Sequence, residues 1–198
     1  MGNVCYAEAL GQYAPKKIGI FGGSFDPVHD GHIHLAELAL YAASLDEVWF
    51  MPCQISPHKT GSLTTLGETR TKWLEIATAN LNWAKIESLE LQSEGPSYSY
   101  KTMQALVEMY PGNEWFWIMG GDQWAALPKW KHPEIIAELA SFIVLARNGA
   151  NIEPRPGYRL QVVTGEHPAS ATEIRRALAA GERDIPFLDQ DVERSILE

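Results

Sequence analysis

The residue types best suited to chemistry are crowded into one stretch, Gly22-Gly23-Ser24-Phe25-Asp26-Pro27-Val28-His29-Asp30-Gly31-His32. Two glycines directly after an apolar, β-prone run let the backbone approach a ligand where a Cβ would clash. Asp26-Pro27 forces a turn. His29 and His32 then fall at the mouth of a helix, where free N–H groups and the helix dipole favour phosphate. Their spacing of three places both imidazoles on one side of the first turn. Neither common phosphate loop is present, since both Gly-x-x-x-x-Gly-Lys-Ser/Thr and Gly-x-Gly-x-x-Gly are absent. Histidines and helix amides as the positive groups suit stabilisation of charge on a pentavalent phosphate, rather than permanent clamping of a triphosphate. His34 reads as a surface or capping residue. The competing reading of His29, His32, His34 and Asp26 is a zinc site, against which stand the missing fourth ligand at a familiar spacing and the lack of a supporting cysteine.

Three further constellations are candidates. In Ser170-Ala171-Thr172-Glu173-Ile174-Arg175, Ser170 or Thr172 can cap an apolar helix while offering a hydroxyl and amides to a phosphate. Arg175 on the first turn would be aimed at the same anion; the alternative is a capped helix with a surface arginine. Asp122, in Gly120-Gly121-Asp122, follows an aromatic run where a carboxylate can accept bonds from ribose hydroxyls. Trp130, in the next loop, can stack on a planar base, although with seven tryptophans in the chain a core position is its competing reading. Pro57-His58-Lys59 lies in a polar loop, where a bare lysine is ordinarily solvated.

The elements that must position these groups alternate. Strands are predicted at Lys17–Phe21, Glu47–Met51, Ala84–Leu89, Glu114–Met119, Ser141–Leu145 and Leu160–Val163. Helices are predicted at Gly31–Ala43, Leu66–Ala79, Tyr100–Tyr110, Pro133–Leu139, Ala171–Ala180 and Gln190–Glu198. Such alternation implies an α/β fold with a parallel sheet covered on both faces. The site should then lie at the carboxyl ends of the strands, near a switch point. Residues 1–15 read as an extension and residues 16–198 as a single domain.

Composition narrows the partners. The chain has 198 residues, 45% of them hydrophobic and 21% charged, which is ordinary globular usage. Its 16 basic and 25 acidic residues leave a net charge of -9. That balance disfavours nucleic acid, whose backbone requires a basic footprint, and still admits small anions that need only a local field. Cys5 and Cys53 suggest neither a disulfide framework nor a metal site, so a reducing cytoplasm is the expectation. No apolar run is long enough to span a bilayer, and the start lacks the pattern of a signal peptide. Tyr6 stands where a myristoylation start wants Ser or Thr.

The Gly-rich turn and His-x-Gly-His stretch resemble the nucleotidyltransferase superfamily. Within it the chain is similar, from about Lys17 to its end, to the bacterial nicotinate-nucleotide adenylyltransferases. The resemblance implies a Rossmann-like fold of nucleotidyltransferase type and transfer of the adenylyl group of ATP to nicotinate mononucleotide, giving deamido-NAD. It implies ATP contacts at Gly22, Gly23, Ser24, Phe25, His29, His32, Gly120, Asp122, Arg147, Ser170, Thr172 and Arg175, with His29, His32 and Arg175 catalytic. Acceptor contacts fall at Pro57, His58, Lys59, Ser97, Tyr98, Ser99 and Trp130: the backbone N–H groups at Ser97–Ser99 would receive the nicotinate carboxylate, and Trp130 would stack on the pyridine. The segment Ala169-Ser170-Ala171-Thr172 departs from the family's Ile-Ser-Ser-Thr by one lost hydroxyl. Mg²⁺ would accompany ATP on its phosphates and on water, with no protein metal site. No membrane or nucleic-acid partner is implied, and a homo-oligomer stays open. Alternatives are a sister enzyme for nicotinamide mononucleotide or phosphopantetheine, or a non-catalytic nucleotide-sensing module. An aminoacyl-tRNA synthetase is excluded by length, acidity and the missing Lys-Met-Ser-Lys-Ser loop.

Overall fold

A computed structural model describes residues 14–55, 64–92, 95–147 and 149–198. Pro57, His58 and Lys59, and residues 1–13 of the predicted extension, lie outside the described residues.

The first half alternates as β1 (Lys17–Gly23), α1 (Asp30–Ala42), β2 (Glu47–Pro52), α2 (Gly67–Thr78), β3 (Ala84–Ile86) and α3 (Ser99–Met109). The second half runs β4 (Glu114–Gly120), α4 (Gly121–Ala126), α5 (Pro133–Leu139), β5 (Ser141–Ala146), β6 (Leu160–Thr164), α6 (Ala171–Ala179) and α7 (Gln190–Leu197). All strand pairs are parallel, in the order β3-β2-β1-β4-β5-β6. After building outward from β1 to β3, the chain returns to the other side of β1. The crevice between β1 and β4 is therefore the switch point at which open α/β sheets bind ligands.

Side-chain alternation assigns the two layers. Phe116 and Ile118 of β4 pack with Ala36 and Leu40 of α1, Trp73 of α2, Ile174 of α6 and Val192 of α7. Trp115, Trp117 and Met119 face the opposite way, against Met103 and Leu106 of α3, Trp124 of α4 and Ile136 of α5. Every residue of β2 is buried, including Glu47. Burial opposes ionisation of Glu47. Bonds from Lys16, Trp49 Nε1 and Lys85 overcome that opposition and bring its pKa down to about 2.

Two expectations are corrected. The predicted strand at Ala84–Leu89 stops at Ile86, and a 3₁₀ turn over Leu89–Gln92 follows. The loop expected between Asp122 and Trp130 is α4 followed by a 3₁₀ turn at Leu127–Lys129. Six residues are too few to show a helical period, and burial of Trp124 is what holds them.

Candidate active site

The cleft follows from the end of β1. Gly22 and Gly23 leave the sheet, and the chain turns through Ser24, Phe25 and the cis Asp26–Pro27 peptide into α1. Both glycines line the cleft, and for Gly23 packing also excludes a side chain. A Cβ on Gly23 would stand 2.9 Å from the buried Phe25 ring, while one on Gly22 would meet only Trp117 at 3.7 Å. Gly31 has a similar purpose: a Cβ there would lie 3.0 Å from His29 Nδ1 and 3.2 Å from Ala169 Cβ. The central glycine of the His-x-Gly-His stretch thus lets His29 fold back and the segment before α6 close in.

His29 and His32 stack, with centroids 3.8 Å apart and planes at 22°, so the three-residue spacing does place them together. They face different spaces. His32 lines a cleft of about 620 Å³ with Gly22, Gly23, Ser24, Phe25, Ser97, Tyr98, Ser99 and Trp130. His29 lines a second cavity of about 290 Å³ with His34 and His167. Burial, aided by His167, lowers the His29 pKa to about 4, so this ring is neutral near pH 7 rather than one of the expected positive groups. Most first-turn amides of α1 are also occupied. His29 N–H donates to His32 Nδ1 at 3.3 Å, Asp30 N–H to Phe187 O at 3.0 Å, and His32 N–H to His29 O at 2.8 Å. The free amides expected at this helix mouth are therefore largely used within the protein. The zinc reading finds no support in the geometry, since among the described residues no three His, Cys, Asp or Glu side chains converge as metal ligands.

The opposite wall is the start of α3. Ser97 N–H donates to Ile55 O at 3.1 Å, and Ser97 Oγ accepts from Gln54 N–H at 3.1 Å. The Ser97 amide, expected to face the ligand, is thereby committed to the chain. The amides of Ser99 and Tyr100, at the first two helical positions, have no intrahelical acceptor. Glu90, which the sequence reading missed, lies buried in this wall. Burial raises its pKa, partly offset by hydrogen bonds from Thr102 Oγ1, at 2.7 Å, and from Ser97. Trp130 is half-buried at the cleft, whereas Trp49, Trp73, Trp115, Trp117 and Trp124 are core residues. Also missed were Lys129 and Lys131 on the same wall, the latter with Nζ 4.8 Å from the Tyr98 ring centroid. No spacing signals them; only the fold turns them towards the cleft.

The remaining candidates stand at the carboxyl ends of β4, β5 and β6. Asp122 lies exposed in the first turn of α4, with Gly120 ahead of it. Arg147 is exposed just past β5, and neither it nor Asp122 lines the 620 Å³ cleft. Ser170 is the N-cap of α6, yet its hydroxyl makes no capping bond. Arg175 lies one turn further along α6 than expected. Its Nη1 donates to Asp26 O at 2.5 Å and its Nη2 to Thr172 Oγ1 at 3.4 Å. That bond ties two candidate motifs, 149 residues apart, at the turn before α1.

This arrangement coincides with a known class. The sequence model of the Cytidylyltransferase-like family matches residues 20–177, a span that includes both histidines and Arg175. The nicotinate-nucleotide adenylyltransferase of Bacillus subtilis strain 168 is 42% identical over 160 residues, 81% of this chain and 84% of its own length. The chain belongs to the nicotinate-nucleotide adenylyltransferase family of nucleotidyltransferases. Two structures of Plasmodium falciparum nicotinic acid mononucleotide adenylyltransferase share its fold. The APC complex has a TM-score of 0.70 at 20% identity, covering 92% of this chain and 96% of that one. The NaAD complex has a TM-score of 0.65 at 21% identity, covering 82% and 84%.

Proposed function

We propose that the chain transfers the adenylyl group of ATP to nicotinate mononucleotide, releasing pyrophosphate and deamido-NAD. The observation that carries this reading is the cleft at the β1/β4 switch point, where His32, the Gly22–Phe25 turn, the α3 N-terminus and Trp130 face one mononucleotide-sized space. A phosphate oxygen of the acceptor attacks the α-phosphorus, and the bond from that phosphorus to the α–β bridging oxygen breaks. The acceptor phosphate is already an anion, so no general base is required, and the protein contributes positioning and electrostatics. His32 donates to the transferring phosphate. His29 supports the His32 ring by stacking, and an arriving anion raises its affinity for a proton. Ser170, Thr172 and Arg175 receive the leaving pyrophosphate, while Asp122 and Arg147 attend the nucleotide. MgATP is the substrate form, the ion travelling with the phosphates of ATP and keeping much of its water.

The acid acceptor is favoured over the amide by what lines the cleft. Lys129 and Lys131 add positive charge, and the α3 amides at Ser99 and Tyr100 are donors. The Glu90 carboxylate already accepts from the Thr102 and Ser97 hydroxyls. We assign the enzyme to the cytoplasm, with small-molecule partners; a homo-oligomer is compatible with this reading. Among the described residues no helix is long and apolar enough to cross a membrane. The test is pyrophosphate release with ATP and a panel of nicotinate mononucleotide, nicotinamide mononucleotide and phosphopantetheine. Preference for the acid should be at least ~10-fold in kcat/KM, because an orphaned donor costs about 1–3 kcal/mol. Equal rates for acid and amide reject the acceptor assignment, and no release with any acceptor rejects the transfer itself.

A further inference from the structure

Arg70 is the largest of the fully buried side chains among the described residues, with 1% of its surface exposed. Arginine rarely reaches such burial unless paired. Yet among the described residues no carboxylate stands within ion-pair distance of it. Its partners are backbone carbonyls from three separate segments. Nη1 donates to Ser24 O at 2.5 Å, Nη2 to Cys53 O at 2.8 Å and Nε to Thr65 O at 2.9 Å. Thr65 N–H in turn donates to Asp26 Oδ2 at 3.3 Å. One planar guanidinium therefore joins the Gly-rich turn, the end of β2 and the entry to α2.

Two of those residues, Ser24 and Cys53, line the cleft. Arg70 stands behind them and touches nothing in the cavity. Its charge is met by three carbonyl dipoles, with the buried Asp26 carboxylate one residue further on through Thr65, so its part is to hold the backbone of the cleft floor in place. A lysine could not replace it: an ammonium is a single point charge and cannot span three divergent carbonyls as a fork does.

We propose that Arg70 is a positioning residue for adenylyl transfer, holding the Ser24 turn in the geometry that the reacting phosphates require. This rests on the function proposed above. Alignment matters more in the transition state than in the ground state, so its loss falls on kcat before KM.

The experiment uses the full chain with Arg70→Lys and Arg70→Ala, read by steady-state kinetics, thermal melts and amide hydrogen exchange. Arg70→Lys is expected to stay folded and to lose roughly 10–10²-fold in kcat, with acceptor KM changed by less than about threefold. Exchange should quicken at Ser24–Asp26 and stay unchanged in β4. Free guanidinium, far below denaturing concentration, should restore several-fold activity to Arg70→Ala and none to the wild type. A lysine variant with kcat within about twofold of wild type overturns the proposal, because it shows that the fork is dispensable. So does an alanine variant that folds, is inactive and ignores guanidinium. If the alanine variant fails to fold, the lysine variant decides alone. A wild type that releases no pyrophosphate defeats the proposed function instead, and the exchange comparison still tests the role of Arg70.

Discussion

Groups facing the 620 Å³ cleft come mostly from buried or half-buried residues: Phe21, Phe25, His32, Glu90, Ser97, Tyr98 and Trp130. Past the carboxyl ends of β4, β5 and β6 the pattern reverses, and Asp122, Arg147, Thr172 and Arg175 are all exposed. The cleft is held from behind by Arg70, by the Glu90–Ser97–Thr102 bonds and by the His29 ring. The outer group has few such supports, chiefly the bond from Arg175 to Asp26 O. A wall whose side chains are fixed by the core has lost its conformational entropy on folding, whereas exposed side chains lose theirs on meeting a ligand. Mutations in the two regions should therefore differ in kind. Cleft changes should act on the acceptor and on the chemical step, and outer changes on nucleotide affinity.

The largest expected effect is at the cleft's donor. His32→Ala should lower kcat by roughly 10²–10³-fold while ATP binding stays within about tenfold, as expected of a donor acting mainly in the transition state. Near-normal turnover would remove His32 from the chemistry. Arg175→Ala comes next. Hydrogen bonds to charged groups are worth about 1.5–3 kcal/mol, so KM for ATP should rise about 10–10²-fold with acceptor KM little changed. Acceptor affinity falling in parallel would abolish the distinction between the regions.

Trp130→Ala sharpens the acceptor side. Stacking of a planar ring is worth about 1–3 kcal/mol, and the loss should appear in KM for the acceptor and not for ATP. A melt must accompany the kinetics, because a variant that only unfolds would show Trp130 to be a core residue after all.

The smallest effect is on stability. Burial raises the Glu90 pKa above 4.5, so the folded state holds that proton more tightly than the unfolded state does. Between 4.5 and the raised value, stability falls as pH rises. Glu90→Gln removes this titration, so its Tm should exceed that of wild type above pH 4.5 and match it below. A gap that widens on acidification would reverse the sign and disprove the assignment. His29 titrates with the opposite consequence. Its pKa is lowered from 6.5 to about 4, so it contributes stability that is present above 6.5 and lost as pH falls through about 4.

How much could be read from the sequence depended on whether the signal was local. The central strands β1, β2, β4 and β5 were legible because buried parallel strands are short apolar runs, whereas the edge strand β3 has no buried residue and its end was misplaced. The pairing of His29 with His32 was legible because helical spacing is a local rule. A site at the strands' carboxyl ends followed from the alternation alone. α4 was not legible, since burial of Trp124 rather than periodicity sustains it.

What only the tertiary structure decided is which groups are already in use. The sequence cannot show that the Ser97 amide is taken by Ile55, that of Asp30 by Phe187, or that stacking turns His29 away from the cleft. Nor could it single out Arg70, which lies in an amphipathic helix where an arginine is ordinarily solvated. The reason is physical. Residue type and spacing determine which hydrogen bonds and charges a segment can offer. Whether each offer is met within the chain or left to a ligand depends on partners dozens of residues away, and only the packed fold brings them within reach.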